Sequence, residues 1–196
     1  MDLVRVLERA IRRADLPVKY SEGFNPRPRM SFGPPLPLGM TSEAEIAVLR
    51  MDVAIDADEV RERLNAQLPE GITVTAARIV LDGEPALQAI RGTAYLAKIV
   101  CRSKDPQATI EGDIRRVLAL DRLVVERSDG KSTRNLDIRQ SVETIEVVEL
   151  QGEIAVLRIR ISLESQHTAK AVEVVQAMSG LDASIELVSL HRETLY

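Results

Sequence analysis

Cysteine and aromatic residues are scarce in this chain, and several familiar sequence patterns are missing. The one cysteine, Cys101, cannot form an internal disulfide, which fits the reducing cytoplasm. No apolar run approaches the roughly 20 residues of a membrane-spanning helix, and the first residues do not have the pattern of a signal peptide. The patterns of a glycine-rich phosphate loop, a dinucleotide-binding fold, a Ser-His-Asp triad and a metal site are also missing. We therefore expect a cytoplasmic protein without a cofactor or a metal, and a binding protein rather than an enzyme.

Charge is distributed unevenly along the sequence. The 196 residues carry 26 basic and 30 acidic side chains, and the resulting net charge of −4 argues against a nonspecific nucleic-acid-binding protein. Residues 1–30 nevertheless hold seven basic and four acidic groups, a net +3, which leaves 19 basic and 26 acidic groups, a net −7, for the rest. This polarity can steer an anionic ligand towards one end of the molecule, although ordinary surface scatter explains it as well.

The segment 17–39 differs in composition from the sequence around it. It contains six of the nine prolines and three of the five aromatic residues. It follows an amphipathic pattern that predicts a helix over residues 2–14, which Pro17 ends. Because so stiff a segment loses little conformational entropy on ordering, we expect a fixed loop with an edge strand around Met30–Phe32.

The order of the predicted helices and strands indicates the split βαβ arrangement, present twice. In the first half, helices are predicted at 2–14 and 56–68 and strands at 45–53 and 72–80. In the second half, strands are predicted at 94–101, 123–126, 135–150, 154–163 and 184–190, and helices at 109–120 and 168–178. We therefore predict an α+β fold of two ferredoxin-like halves, with antiparallel sheets and helices on one face. The predicted domains are residues 1–82, a connector at 83–92, and residues 93–196.

The first predicted half lacks the opening strand of the motif. A sheet without this strand exposes an edge, which a longer natural chain or a partner can cover. The sequence does not decide the oligomeric state.

A long and specific block of sequence comprises LPVKYSEGFNPRPRMSFG (16–33), PLPLG (35–39) and SEAE (42–45). The predicted first helix precedes this block, and LDIR (136–139) follows a basic turn that contains Lys131 and Arg134. With these features the chain resembles, over essentially its whole length, the radical-SAM-linked domain of unknown function.

The resemblance implies a partner, because that domain occurs alone or fused behind a radical SAM enzyme. It does not imply that this chain is such an enzyme, since the chemistry needs an iron–sulfur cluster held by several thiolates and Cys101 is single. Family members usually carry a strand and a short Ser-His-like turn before the position of Asp2. This chain lacks both, in agreement with the missing first strand.

The loop brings cations beside aromatic rings, a combination that suits RNA. Cations bind phosphates, rings stack on bases, and polar side chains such as Asn25 and Ser31 suit base edges. The candidate ligand- or RNA-binding residues are Arg9, Arg12, Arg13, Lys19, Tyr20, Ser21, Phe24, Asn25, Arg27, Arg29, Ser31, Lys131 and Arg134. The alternative is that Phe24 and Phe32 fill the core beneath a rigid loop whose arginines are merely solvated.

Two pairs of polar residues are weaker candidates for catalysis. Glu43 and Glu45 share one face of a strand, where paired carboxylates do acid–base work or form salt bridges. Asp137 and Arg139 also share a strand face and form either a second polar site or a structural ion pair. A catalytic aspartate on a duplicated split βαβ fold is similar to the arrangement in pseudouridine synthases, but their surrounding motif is missing, so this is analogy alone.

Three functional hypotheses follow. The first is an accessory module that binds RNA, ribosomal or transfer RNA, through residues 20–39 and presents it to a radical SAM partner. The second is an enzyme acting on RNA or nucleotides with the polar pairs as catalysts. The third is a scaffold that docks another protein through an open sheet edge.

Overall fold

The computed structural model describes residues 3–128, 130, 132–179 and 184–196. Within these residues the elements are α1 (Leu3–Arg13), β1 (Met30–Phe32), β2 (Thr41–Ser42), β3 (Ala47–Leu49), α2 (Ala57–Asn65), β4 (Gly92–Cys101), α3 (Pro106–Leu118), β5 (Val124–Ser128), β6 (Thr133–Asp137), β7 (Val142–Gln151), β8 (Ile154–Ser162), α4 (Ala171–Ser179) and β9 (Ile185–Leu195), with a 3₁₀ turn at Arg139–Ser141. The predicted α+β class is confirmed.

The chain divides into two units. The N-terminal unit comprises Met1–Gly33 and Ile46–Leu87, and the C-terminal unit comprises Pro34–Glu45 and Gln88–Tyr196. The second unit therefore includes a segment from the proline-rich loop, which the predicted division assigned to the first half. The reason is long-range pairing, because β2 is hydrogen-bonded to β9 near the end of the chain. The predicted boundaries at 82 and 93 stay a prediction.

The N-terminal unit packs two helices and an antiparallel strand pair around a small core. The apolar stripe of α1 is buried as predicted, with Leu7, Ala10 and Ile11 inside. β1 pairs with β3 in the register Met30↔Leu49. The succession α1, β1, β3, α2 is that of the centre of a split βαβ motif.

The helix ends in this unit are closed by specific hydrogen bonds. Asp56, the first residue of the helix predicted over 56–68, is the N-cap of α2 and accepts hydrogen bonds from the first amides of the helix. At the end of α1, Asp15 has a positive φ of 48° and the amide of Leu16 donates to the carbonyl of Ile11 (3.3 Å), the geometry of a Schellman motif. The guanidinium group of Arg63 then donates to the free carbonyl of Ala14 (Nη2–O 2.6 Å).

One predicted strand of this half is wrong. The segment 72–80 forms no strand, because no neighbouring segment pairs with its backbone. At one residue the side chain of Asn65 replaces a partner strand: it accepts from the amide of Val74 (2.7 Å) and donates to the carbonyl of Val74 (2.9 Å). Alternation in this segment was only partial, and alternation alone does not provide a partner strand.

The C-terminal unit contains a five-stranded sheet in the order β2-β9-β4-β8-β7. β4, β7, β8 and β9 pair antiparallel in the ferredoxin-like arrangement. β2 is added parallel to β9 at one edge. α3 and α4 contact each other and the sheet, so they cover one face. Between α3 and β7 the chain inserts the β5–β6 hairpin.

Candidate nucleic-acid interface

The basic loop of the N-terminal unit is a short hairpin. We use the name hairpin for residues 19–29, in which 19–21 lie antiparallel to 27–29. The amide of Ser21 donates to the carbonyl of Arg27 (2.8 Å), and the amide of Arg27 donates to the side-chain oxygen of Ser21 (3.0 Å). Tyr20 and Pro28 form a bridge between the two segments. Ser21, a candidate ligand residue, thus holds the hairpin closed.

Three basic residues are joined through their backbones. The amide of Lys19 donates to the carbonyl of Arg50 (2.7 Å), the amide of Arg50 to the carbonyl of Arg29 (3.0 Å), and the amide of Arg29 to the carbonyl of Lys19 (2.6 Å). The two paired segments of the hairpin and the segment after β3 therefore meet where each carries a cation. Backbone hydrogen bonds of this kind set the spacing of the three side chains without using their charges.

Side chains alternate between the two sides of extended backbone, and this alternation places the three cations on the solvent side. Val18 and Pro28 are buried, and Met30, Leu49 and Met51 pack against the same core. Each of Lys19, Arg29 and Arg50 is flanked by two residues that face inward or are half-buried, so its own side chain points outward.

Arg27, two residues before Arg29, is exposed in the same way. We call Lys19, Arg27, Arg29 and Arg50 the cationic face.

The charges of the cationic face are largely uncompensated. Within the part of the chain that the structure describes, Lys19, Arg27 and Arg29 form no ion pair. Arg50 lies 3.8 Å from Asp82, and both of these side chains are exposed. Because both side chains are exposed, solvent screens this pair, and its contribution to stability is small. The face is consequently available to an anionic ligand.

Sequence reasoning missed Arg50. It lies just after β3, in the segment that was predicted as a strand. A cation between Leu49 and Met51, both of which pack inward, was the available signal. That pattern indicates that Arg50 faces solvent, but the backbone hydrogen bond that places it beside Arg29 depends on the tertiary structure.

The turn of the hairpin presents an aromatic ring. Phe24 is as exposed as in an extended chain (105%), and Glu22 and Asn25 beside it are exposed. Gly23 has a φ of 122°, which only glycine adopts readily, and so allows the chain to reverse here. The alternative that Phe24 fills the core is wrong, whereas Phe32 is half-buried in β1.

The remaining loop candidates differ in exposure. Tyr20 is half-buried on the side of Pro28, and Ser31 is exposed in β1. On α1, Arg9, Arg12 and Arg13 are exposed on the side away from the buried stripe. Arg13 donates to the carbonyl of Gln67 (2.6 Å), which anchors it to its own unit.

The second group of basic candidates lies on the β5–β6 hairpin. Lys131 lies outside the described residues. Arg134 is exposed and directly opposite Arg127 in the strand register. Arg127 forms a two-point ion pair with Glu173 (2.7 and 2.6 Å), which joins the β5–β6 hairpin to α4 within the C-terminal unit.

Asp137 and Arg139 both contact the backbone. Asp137 accepts from the amides of Leu123 (3.0 Å) and Arg139 (3.1 Å) and from the side chain of Arg122, and these contacts hold the pKa of Asp137 below its ordinary value. Arg139 donates to the carbonyls of Leu118 (2.6 Å), Leu120 and Val142. Arg139 thus satisfies carbonyls at the C-terminal end of α3, and Asp137 satisfies two backbone amides. Both side chains therefore have structural roles.

The prediction that Glu43 and Glu45 share a strand face is wrong, because both lie in the connection between β2 and β3. They face β9, the last strand of the C-terminal unit. Glu45 pairs with Arg192 (2.7 Å) and accepts from the hydroxyl of Ser42, while Glu43 lies 3.7 Å from His191. Arg192 is 1% exposed and also donates to Tyr95.

A cavity of about 290 Å³ lies between α3 and β7, and none of the candidate residues lines it. No group of three or more metal-ligating side chains occurs among the described residues. In the same residues no helix has the length and apolarity needed to cross a bilayer.

Comparison with solved structures shows a likeness of fold. A chain of the crystal structure of a Cbf5-Nop10-Gar1 complex is similar at 12% identity and a TM-score of 0.53, over 94% of this chain and 42% of that one. Chains of an archaeal box H/ACA sRNP Nop10-Cbf5 complex (14%, TM-score 0.48, 96% and 42% covered) and of an H/ACA RNP bound to a substrate RNA containing 2′-deoxyuridine (12%, 0.46, 93% and 40%) are less similar in structure. This chain spans less than half the length of each. At such identities the likeness shows the fold alone.

Sequence comparison identifies the family. No curated protein matches the chain. A family model described as an uncharacterized protein conserved in bacteria, DUF2344, matches residues 1–174. The chain belongs to the DUF2344 family.

Proposed function

We propose that this protein binds RNA through the hairpin and its cationic face, as an accessory module for a radical SAM enzyme. The observation that carries the proposal is the joining of Lys19, Arg29 and Arg50 by three backbone hydrogen bonds with their charges directed to solvent. Placing like charges side by side does not stabilise the folded state, since like-charge neighbours across strands destabilise a sheet. A ligand that carries several negative charges at regular spacing offsets that cost.

RNA fits these features better than a small anion. The cationic face extends over three segments, whereas a single phosphate group needs a concave site with converging donors. Arg27 and Arg29 lie on either side of Pro28, which forms the bridge to Tyr20, and both are exposed. Residues two apart in extended backbone lie on one side of the chain, about 6.6 Å apart. An open row of cations suits a polyanion, because each cation releases counterions from a separate phosphate.

The proposed RNA and the proposed partner are those that the sequence analysis indicated. Ribosomal or transfer RNA is the proposed ligand, and a radical SAM protein is the proposed partner because of the family resemblance. Arg9, Arg12 and Arg13 on α1 are proposed to extend the interface of the N-terminal unit. Arg134, on the β5–β6 hairpin of the C-terminal unit, is proposed as a separate contact with RNA.

The other two hypotheses have less support. Asp137, Arg139 and Glu45, three of the four proposed polar catalysts, are already engaged by backbone or side-chain partners. The fourth, Glu43, lies 3.7 Å from His191. On the C-terminal sheet, the edge strand β7 has a bulge between Val147 and Glu149 and carries spaced glutamates, and both features discourage the addition of another strand. Docking through the edge of the N-terminal half, where the first strand is missing, stays a prediction.

The decisive experiment measures RNA binding as a function of salt. Labelled bulk tRNA and ribosomal RNA fragments are titrated with wild-type protein and with the double variant Arg29→Ala, Arg50→Ala. Loss of two phosphate contacts should weaken binding and lower the slope of log K against log salt by about 2. The matched control is Arg115→Ala, which removes a 73%-exposed arginine on α3.

The proposal is wrong if the control loses as much affinity as the double variant, or if wild-type protein binds neither RNA at about 50 mM salt. Co-purification with a radical SAM protein from cells tests the partner separately.

A further inference from the structure

The tip of the hairpin has an apolar side chain that the fold does not use. The Phe24 ring is 105% exposed, so it contributes no packing to the N-terminal unit. A ring of this size buries on the order of 150 Å² or more when it finds a partner. The ring lies at the tip of a hairpin that the two Ser21–Arg27 hydrogen bonds close.

The charges around the ring differ from those farther along the hairpin. Glu22, two residues before Phe24, is exposed, and its carboxylate disfavours a phosphate at the tip. Arg27 and the rest of the cationic face lie on the paired segments behind it. These charges favour a bound RNA strand whose phosphates contact the cationic face and whose bases lie towards the tip of the hairpin.

We infer that Phe24 stacks on an unpaired base, and that the RNA bound here is single-stranded or looped rather than duplex. This inference rests on the proposed function. In a duplex both faces of each base are covered by stacking, whereas splayed bases of single strands offer a face to an aromatic ring. The exposed amide of Asn25, next to Phe24, suits the polar edge of the same base.

The test compares one RNA in two forms with the full-length protein. The probe is a labelled single strand of about 16 nucleotides, and its duplex with an unlabelled complement is the comparison. Phe24→Ala should weaken single-strand binding by about 5- to 100-fold and leave duplex binding and the salt slope unchanged. Phe24→Trp should preserve single-strand binding, since the indole also stacks.

The control Leu38→Ala removes another highly exposed apolar side chain, 92% exposed, that is not aromatic. It should leave binding of both RNA forms unchanged. Because Phe24 contacts no core residue, its replacement should not unfold the protein, and the thermal midpoint of each variant verifies this.

The outcomes separate the inference from the proposed function. If the Arg29→Ala, Arg50→Ala variant loses binding to both forms while Phe24→Ala loses none, the stacking role is wrong and RNA binding stands. If wild-type protein binds neither form, both are wrong. Tighter, Phe24-dependent binding to vesicles of anionic lipid than to the single strand overturns the inference in favour of a membrane surface.

Discussion

Arg192 and Glu45 form an ion pair with 2.7 Å between Nη1 and Oε1, although 147 residues separate them in the chain. The same guanidinium group donates to the carbonyls of Pro34 (2.8 Å) and Pro35 (3.0 Å) and to the hydroxyl of Tyr95 (3.1 Å). Arg192 is 1% exposed, so its charge depends on these acceptors. It holds the segment 34–45 on the C-terminal sheet.

Replacing Arg192 should therefore be costly. We expect Arg192→Met to lower the free energy of unfolding by about 3 kcal/mol, because the carbonyls and the Glu45 carboxylate lose a buried donor. Urea denaturation measures the change. The matched control is Arg102→Met, which removes an exposed pair with Glu186 and should change stability by less than about 1 kcal/mol. An equal effect of both substitutions would contradict this account.

The end of α1 offers a stabilising substitution. Asp15 has a φ of 48°, which strains most residues other than glycine. We expect Asp15→Gly to raise the free energy of unfolding by up to about 1 kcal/mol, measured by thermal or urea denaturation. Asp52→Gly is the control: Asp52 does not have a positive φ, and the change should destabilise. Loss of stability in Asp15→Gly would show that the αL position is not strained.

Glu173 should make stability depend on pH in the acid range. Burial raises the pKa of Glu173, but the guanidinium of Arg127 and the amide of Lys170 outweigh burial and lower it overall. Because the folded-state pKa is the lower one, the carboxylate stabilises the fold above the unfolded-state pKa, about 4.3. This contribution is lost as the pH falls through the folded-state pKa.

Glu173→Gln removes this titration, so its stability should fall less steeply than that of wild-type protein below about pH 4.3. At neutral pH the variant should be less stable, since Arg127 loses its partner. Urea midpoints across a pH series measure both effects. The control Glu70→Gln, at an exposed glutamate, should leave the stability at neutral pH unchanged. A wild-type pH dependence in Glu173→Gln would show that this carboxylate does not carry the effect.

Gly92 and Tyr196 should be energetically coupled. A Cβ atom added at Gly92 would overlap the Tyr196 ring, whose Cζ lies 2.5 Å from the Cβ position. The ring cannot move freely, because Tyr196 donates to Glu143 (2.6 Å) and lies 4.3 Å from the guanidinium of Arg160.

We expect Gly92→Ala to destabilise by about 1–3 kcal/mol, and by clearly less when Tyr196→Ala is also present. A double-mutant cycle of unfolding free energies measures this coupling. Strict additivity of the two substitutions would contradict the predicted overlap.

Local patterns in the sequence predicted most of the helices and strands. The buried stripe of α1, the cap at Asp56 and the alternation of β8 depend on neighbours a few residues away. The predicted strand at 72–80 did not form, since a strand also needs a partner and the sequence does not identify one. The predicted long strand at 135–150 is interrupted by the 3₁₀ turn at Arg139–Ser141.

The candidate site was predicted in part. Its segment and most of its cations followed from composition and from the resemblance, but these could not tell whether Phe24 was buried or exposed. Arg50 was missed because its place beside Arg29 depends on pairing between distant segments. Arg192 was missed because charged residues are rarely buried, so that sequence alone favours an exposed position.

By itself the sequence determined the α+β class, the stiff basic loop and the family, because these depend on periodicity, composition and a long specific motif. Tertiary structure alone decided which cations became neighbours, which arginine was buried, and which way Phe24 pointed. The physical reason is that strand pairing and burial are set by contacts between residues far apart in the chain, and the free energy of such contacts is not encoded in any one segment.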